Sequence, residues 1–328
     1  MLVAKLTVSQ DRSTTLRTLG RGIANDPAET LRNRGPRPAI GTESDGEVCV
    51  DSRLDRIAAK ANEAAYRQKD AQSYIDGAPH IKHAQLRSLY GELVLEVFDK
   101  AAQHRSRPRV LDLGAGEGSV TLPFLELGAE VTAVDISQRQ LDTLVQVCQA
   151  YHDHLEVRCE DINDTLQDSE REYDIIAVNS FLHHIPDYLS LIGRCTEVLS
   201  PNGTFFSFQD PLRYDTVPRS TKMFTDVGYF FWRVSRGRKG DVIGGIRRRL
   251  RRRRGIYLED CHADNAEYHV TRNGVDQNAI RSLLDQRGFD CRIVSYYSTQ
   301  NTLFQHFGAA LGIKNTFGIV ASRRGASQ

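Results

Sequence analysis

Along the first part of the chain the spacing of apolar residues changes twice. Residues 1–50 are polar, rich in Arg, Gly, Pro and Thr, and show no sustained period, which is the pattern of a flexible segment. From about residue 51 the pattern turns helical. Leu54, Ile57, Ala58, Ala61 and Ala65 form one stripe at i, i+3, i+4 spacing, and Leu86, Leu89, Leu93 and Val97 form another. Together they predict a helical N-terminal cap over residues 51–107. Beyond Pro108 the helical period disappears. Val110-Leu111-Asp112-Leu113 runs straight into Gly114-Ala115-Gly116-Glu117-Gly118, and the apolar run from Ala129 ends in Asp135. Short Val- and Leu-rich runs of this kind are buried parallel strands. Strand, glycine loop, helix, strand and acid make up the opening half of a doubly wound α/β sheet, whose ligand lies at the carboxyl ends of the strands.

The glycines let the backbone turn sharply and let a ligand lie against peptide groups where a Cβ would collide. Asp135 can accept both hydroxyls of a ribose. A dinucleotide site requires G-x-G-x-x-G, with its third glycine packing helix on strand and a pyrophosphate at the helix N-terminus. Here the third glycine arrives one residue early, and Asp112 and Glu117 put negative charge where a pyrophosphate would sit. A cationic ligand fits better. The D-x-G-x-G-x-G pattern resembles motif I of the class I S-adenosyl-L-methionine-dependent methyltransferases, whose cofactor carries a sulfonium and an ammonium and no phosphate.

Downstream segments follow the order of that family. Leu155 to Ile162 resembles its third strand, with Asp161 in the place of the acid that faces the adenine amino group. Tyr173 to Ser180 is similar to the fourth strand, and Phe181-Leu182-His183-His184-Ile185-Pro186-Asp187 to the L-H-H-I-x-D segment after it. Val198 to Phe208, Phe289 to Tyr296 and Thr316 to Ser322 resemble the last three strands. The resemblance implies a Rossmann-like, seven-stranded mixed sheet, built from a cofactor-binding part at 108–210 and a C-terminal part at 271–328. It also implies cofactor contacts at Asp112, Gly114, Ala115, Gly116, Gly118, Asp135, Ile136, Asp161, Ile162 and Asn179. Tyr66, Gln68 and Tyr74 lie where this family places an element over the cofactor, although the tyrosines read equally well as ordinary amphipathic helix residues.

Methyl transfer to an alcohol or phenol requires a proton to be taken, and histidine suits that near neutrality. His183, His184 and His269 are the candidates, the last with Glu267 and Tyr268 beside it. A histidine that merely packs within its loop is the alternative for each. His80 and His83 share a helix spacing, but no third ligand accompanies them, so no metal site is expected.

Charge changes the picture in one region, a basic, aromatic insertion at 211–270 after the fifth strand. Between Arg233 and Arg254 there are eleven basic residues and one acid, a net +10. Since the whole chain of 328 residues carries +1, the rest sums to −9. The run Arg247–Arg254 follows an aromatic cluster that includes Trp232. Such an element suits an anionic membrane surface, a phosphorylated acceptor, RNA, or simply solvent. Nucleic acid is disfavoured, because Asn179-Ser180-Phe181-Leu182 lacks the proline pair used for base amines and no cysteine nucleophile stands there.

No apolar run approaches a membrane span, and the six cysteines show no paired spacing, so a cytoplasmic protein with reduced thiols is expected. The expected acceptor is a small molecule or lipid-linked compound, methylated on O or N. A non-catalytic cofactor-binding scaffold and an RNA methyltransferase are the alternatives.

Overall fold

The computed structural model describes residues 78–167, 172–235 and 274–324. Tyr66, Tyr74, His269 and the run Arg247–Arg254 lie outside them. The described residues open with a short helix α1 (Pro79–Lys82) and a long one, α2 (Ala84–Ala102). The alternating core follows as β1 (Arg109–Leu113), α3 (Thr121–Glu126), β2 (Glu130–Asp135), α4 (Gln138–Val147), β3 (Leu155–Cys159), α5 (Ile162–Gln167), β4 (Tyr173–Asn179), α6 (Tyr188–Glu197) and β5 (Leu199–Pro211). After it come α7 (Arg219–Ser235), α8 (Gln277–Gln286), β6 (Phe289–Tyr296), α9 (Thr302–Ala310) and β7 (Thr316–Arg323).

All seven strands form one sheet in the order β3-β2-β1-β4-β5-β7-β6, and β7 alone runs against its neighbours. The expected seven-stranded mixed α/β sheet is thus present. From β1 the chain winds outward to β3, then returns to the other side of β1 to lay down β4. This reversal leaves a crevice at the carboxyl ends of β1 and β4, where a doubly wound sheet binds its ligand.

The inner strands are mostly apolar because helices cover both faces, whereas the edge strands β3 and β6 carry Glu156, Arg158, Asp290 and Arg292. Val110, Ile175, Ala177, Phe206 and Phe208 point to one face and pack with α2, α3 and α4. Leu111, Leu113, Ile176, Val178 and Phe205 point to the other and pack with α5, α6 and α8. Alternation along each strand sends neighbours to opposite cores. The Leu86–Val97 stripe of α2 lies in the first of these cores, so α2 is one of the layers of the sheet. Three helix starts, those of α6, α8 and α9, are marked by side-chain caps: Asp187 accepts from Ser190 N, Asp276 from Asn278 N and Ala279 N, and Asn301 from Leu303 N and Phe304 N.

At the amino end of the sheet, Asp174 is buried and fully employed. It accepts from Arg109 N (2.9 Å) and Ser200 Oγ (3.1 Å) and pairs with Arg105 (2.7 Å). That carboxylate holds strand ends together. The acids at the carboxyl end are bonded differently.

Candidate active site

The loop after β1 is shaped by Gly114, Gly116 and Gly118, whose φ angles of +73°, +54° and +91° lie in the left-handed region. Gly114 N and Ala115 N both donate to Val134 O (2.9 and 3.0 Å), which draws the loop across the end of β2. A Cβ on Gly114 would collide with the Phe181 ring, so the loop also touches the segment after β4.

Asp135 closes this corner. Its Oδ2 accepts from Gly116 N (2.9 Å) and its Oδ1 from Ser137 N (2.8 Å). Burial raises its pKa while those backbone donors hold it down. A carboxylate oxygen has room for a second donor, so the pair of oxygens can still receive the two hydroxyls of a ribose.

Asp112 and Asn179 sit at the ends of the adjacent strands β1 and β4, both buried. Asp112 Oδ2 accepts from Thr121 Oγ1 at 2.6 Å, but its Oδ1 has no partner among the described residues. Burial pushes this carboxyl up to about 7, and the charge of Asp135 pushes the same way. Asn179 Nδ2 approaches His80 Nε2 (3.1 Å) and donates to Ser119 Oγ (3.4 Å), while its Oδ1 is likewise unpartnered. Two buried acceptors without donors are costly unless a ligand supplies them. An ammonium-bearing cofactor fits that demand; a phosphate would be repelled.

Further along the edge, Asp161 Oδ1 accepts from Asn163 N (2.9 Å) and Asn163 Nδ2 (2.8 Å) and so opens α5. The Ile162 side chain is buried in the core with Leu113 and Val134, which leaves its backbone as the part able to meet a ligand. Ile136 is half-buried, and its carbonyl accepts from Cys159 Sγ at 3.7 Å. The Ala115 methyl packs in the other core.

Of the three candidate histidines, His183 and His184 are in the described residues, in the turn after β4, with ring centroids 4.0 Å apart. His183 Nδ1 lies 2.8 Å from Asp210 Oδ1, an oxygen that also accepts from His183 N at 3.2 Å. Asp210 is fully buried, its pKa is raised by that burial, and its Oδ2 has no partner among the described residues.

The sequence reading did not single out Asp210. Its signal was there all the same: like Asp135, it is an acid closing the carboxyl end of an apolar run. What aims it is backbone geometry. Ser180 and Gln209 are the only non-glycine residues with positive φ among the described residues (+54° and +70°), and Ser180 N donates to Phe208 O at 2.7 Å. The β5–β7 register slips between Ser207 and Asp210. Such a bulge re-aims side chains beside active sites, and Tyr296 fixes this one by accepting from Gln209 N at 2.8 Å.

His80 was read from sequence only as an inadequate metal ligand. It proves to be buried against the rings of Tyr90 and Phe208, its pKa lowered to about 4 by desolvation. Neutral, it meets Asn179. His83 turns away, 2.8 Å from Thr299 O, and Lys82 Nζ donates to Gln300 O at 2.9 Å. The two histidines have different partners, and no group of metal-ligating residues occurs among the described residues.

A glycine loop after β1, an acid at the end of β2 and a switch-point crevice on this strand order define the class I methyl-transfer architecture. A family model described as "Methyltransferase domain" matches residues 82–292. The chain therefore belongs to the family of S-adenosyl-L-methionine-dependent methyltransferase domains. Among curated proteins it is 31% identical over 121 residues to a ubiquinone biosynthesis O-methyltransferase of Coxiella burnetii, covering 36% of this chain and 48% of that protein. It is 33% identical over 95 residues to one of Bradyrhizobium, covering 29% and 37%. The chain thus spans about half, or less, of the length of these relatives. Among solved structures, magnesium protoporphyrin IX methyltransferase from Synechocystis with bound SAH superposes on 83% of this chain and 100% of its own, at 16% identity and a TM-score of 0.47, too loose a likeness to speak for function.

Proposed function

We propose that the protein transfers a methyl group from S-adenosyl-L-methionine to a hydroxyl of a small-molecule or lipid-linked acceptor. The observation that carries this reading is the His183–Asp210 pair at the carboxyl edge, beside the glycine loop. When bound, the cofactor supplies a methyl group on a sulfonium, already electrophilic. The chain's own residues have to hold and align the reactants and deal with the acceptor's proton.

Asp135 would bind the ribose, Asp112 and Asn179 the ammonium, and Asp161 and the Ile136 and Ile162 backbone would flank the adenine. Asp210 accepts a hydrogen bond from the Nδ1–H of His183 and so fixes the ring, which leaves Nε2 as the basic nitrogen. Nε2 would then take the proton of the acceptor's hydroxyl as that oxygen receives the methyl group the cofactor would supply. A buried carboxylate behind the imidazole stabilises the cation that results. His184 packs against the same ring. The names of the curated relatives support an oxygen acceptor.

The test is transfer of tritiated methyl groups to a panel of phenols and lipid extracts. His183→Gln and Asp210→Asn should each lower kcat by about 10²-fold or more with cofactor affinity unchanged. Normal turnover in both variants would remove the dyad from the mechanism. A wild-type protein that labels nothing while binding cofactor would be a scaffold.

A further inference from the structure

Helix α7 wears its apolar stripe on the outside. Met223, Val227, Phe230, Phe231 and Val234 recur at helical spacing and are 67%, 41%, 46%, 52% and 40% exposed, while Thr221 and Gly228 face inward and are buried. Helix α9 does the same with Leu303, Phe307 and Leu311, against buried Gln305 and Gly308. Of the eleven exposed large apolar side chains among the described residues, these are eight; Leu95, Val145 and Val147 lie elsewhere.

The two stripes belong to one surface. Gly228 lets α7 come against α9, where a Cβ would fall 2.8 Å from Phe304. The Phe304 ring bridges Phe224 (4.9 Å) and Phe231 (6.0 Å). A contiguous apolar patch of this kind marks an interaction site.

Its place in the fold matters. β5 ends at Pro211, which pairs with Thr316, and Thr316 pairs with Tyr296 at the end of β6. Helix α7 follows β5 and α9 follows β6, so both leave from the carboxyl edge that holds His183 and Asp210. Asn315 Nδ2 donates to Thr225 Oγ1 at 3.5 Å, and Tyr297 packs its ring 5.8 Å from Phe224, tying α7 to that edge.

Charge selects the occupant. The chain running on from α7 carries +10 between Arg233 and Arg254. A second copy docking through this face would bring two such segments together, and like charges oppose that. A surface that is apolar within and negative at its boundary meets both features at once.

We infer that the α7–α9 face docks on an anionic lipid bilayer, with the methyl-transfer edge facing the membrane. The inference stands apart from the proposed reaction, because binding to vesicles is read without turnover. Trp232, the sole tryptophan of the chain, lies on α7 and reports on it.

The experiment is sedimentation with vesicles of phosphatidylcholine alone or mixed with phosphatidylglycerol, with Trp232 emission followed in parallel. Wild-type protein should partition at least tenfold more strongly onto the anionic vesicles, with a blue shift. Met223→Ser combined with Leu311→Ser should lose that partition with an unchanged melting temperature, whereas Val145→Ser, on another surface, should keep it. Three results would overturn the inference: no preference for anionic vesicles, wild-type dimers that the double variant abolishes, or a fall in melting temperature in that variant, which would mean that the chain itself covers the face.

Discussion

Two residues define what the carboxyl edge should do when single side chains are altered. Asp135 already accepts Gly116 N and Ser137 N, so its carboxylate is oriented before any ligand arrives. Charge-assisted hydrogen bonds to a ribose from such a group contribute about 1.5–3 kcal/mol, and Asp135→Ala should weaken cofactor binding tenfold or more by calorimetry. Unchanged affinity in a folded variant would move the ribose elsewhere. His80 tests burial through pH. Its pKa is 6.5 when exposed and about 4 in the fold, so between those values the unfolded chain holds the extra proton. Its stabilisation is complete above 6.5 and disappears as pH falls through 4, an amount of about 3 kcal/mol. Asp112, raised to about 7, works in the opposite sense over the same range, being lost as pH rises through 7. Comparison between variants therefore isolates His80: His80→Gln should lose less stability than wild type from pH 6.5 to 4 in denaturant titrations. Equal losses would contradict the buried, neutral imidazole. Asp112, Asp135 and the loop glycines were readable from sequence because they close apolar runs. Asp210 obeys the same rule but escaped it, since the bulge at Gln209 that turns it towards His183 leaves no mark in composition.

At the scale of elements, legibility followed the direction in which apolar residues face. The stripe of α2 packs inward and was visible as a helix, and the buried strands stood out as short, mostly apolar runs. Helix α7 has the same periodicity turned towards solvent, and the sequence showed it only as an aromatic concentration within an insertion. Its inner side depends on small residues. Because a Cβ at Gly228 would approach Phe304 to 2.8 Å, Gly228→Val should push α7 away from α9 and cost about 1–3 kcal/mol. The measurement is a denaturant midpoint with and without cofactor. Stability should fall while cofactor affinity holds, because α7 carries none of the groups at the glycine loop. A variant as stable as wild type would show that the two helices do not pack through this glycine. The α1 turn is a different case: Lys82 and His83 bind the segment after β6, more than two hundred residues away. No local pattern encodes such a contact.

Across the whole molecule, near neutrality conceals strong polarisation, with +10 confined to Arg233–Arg254 and −9 spread over the remainder. Composition alone would suggest a protein indifferent to charged partners. If the inferred anionic bilayer is the partner, binding should be screened by salt, with a Debye length of ~8 Å at physiological ionic strength. Each basic residue near a negative bilayer contributes about 1 kcal/mol. Replacing Arg247, Arg249, Arg251 and Arg253 with Ser should therefore lower partition onto anionic vesicles at least tenfold at low salt, and should flatten the steep loss that wild type shows as salt rises from about 0.05 to 0.5 M. Cofactor affinity should be untouched, since Asp135 and the glycine loop belong to the sheet and not to this segment. Paired vesicle and cofactor titrations separate the possibilities. If the arginine variant partitions like wild type while the α7–α9 variant does not, apolar contact alone holds the protein on lipid. If the arginine variant loses cofactor, the basic segment folds over the glycine loop.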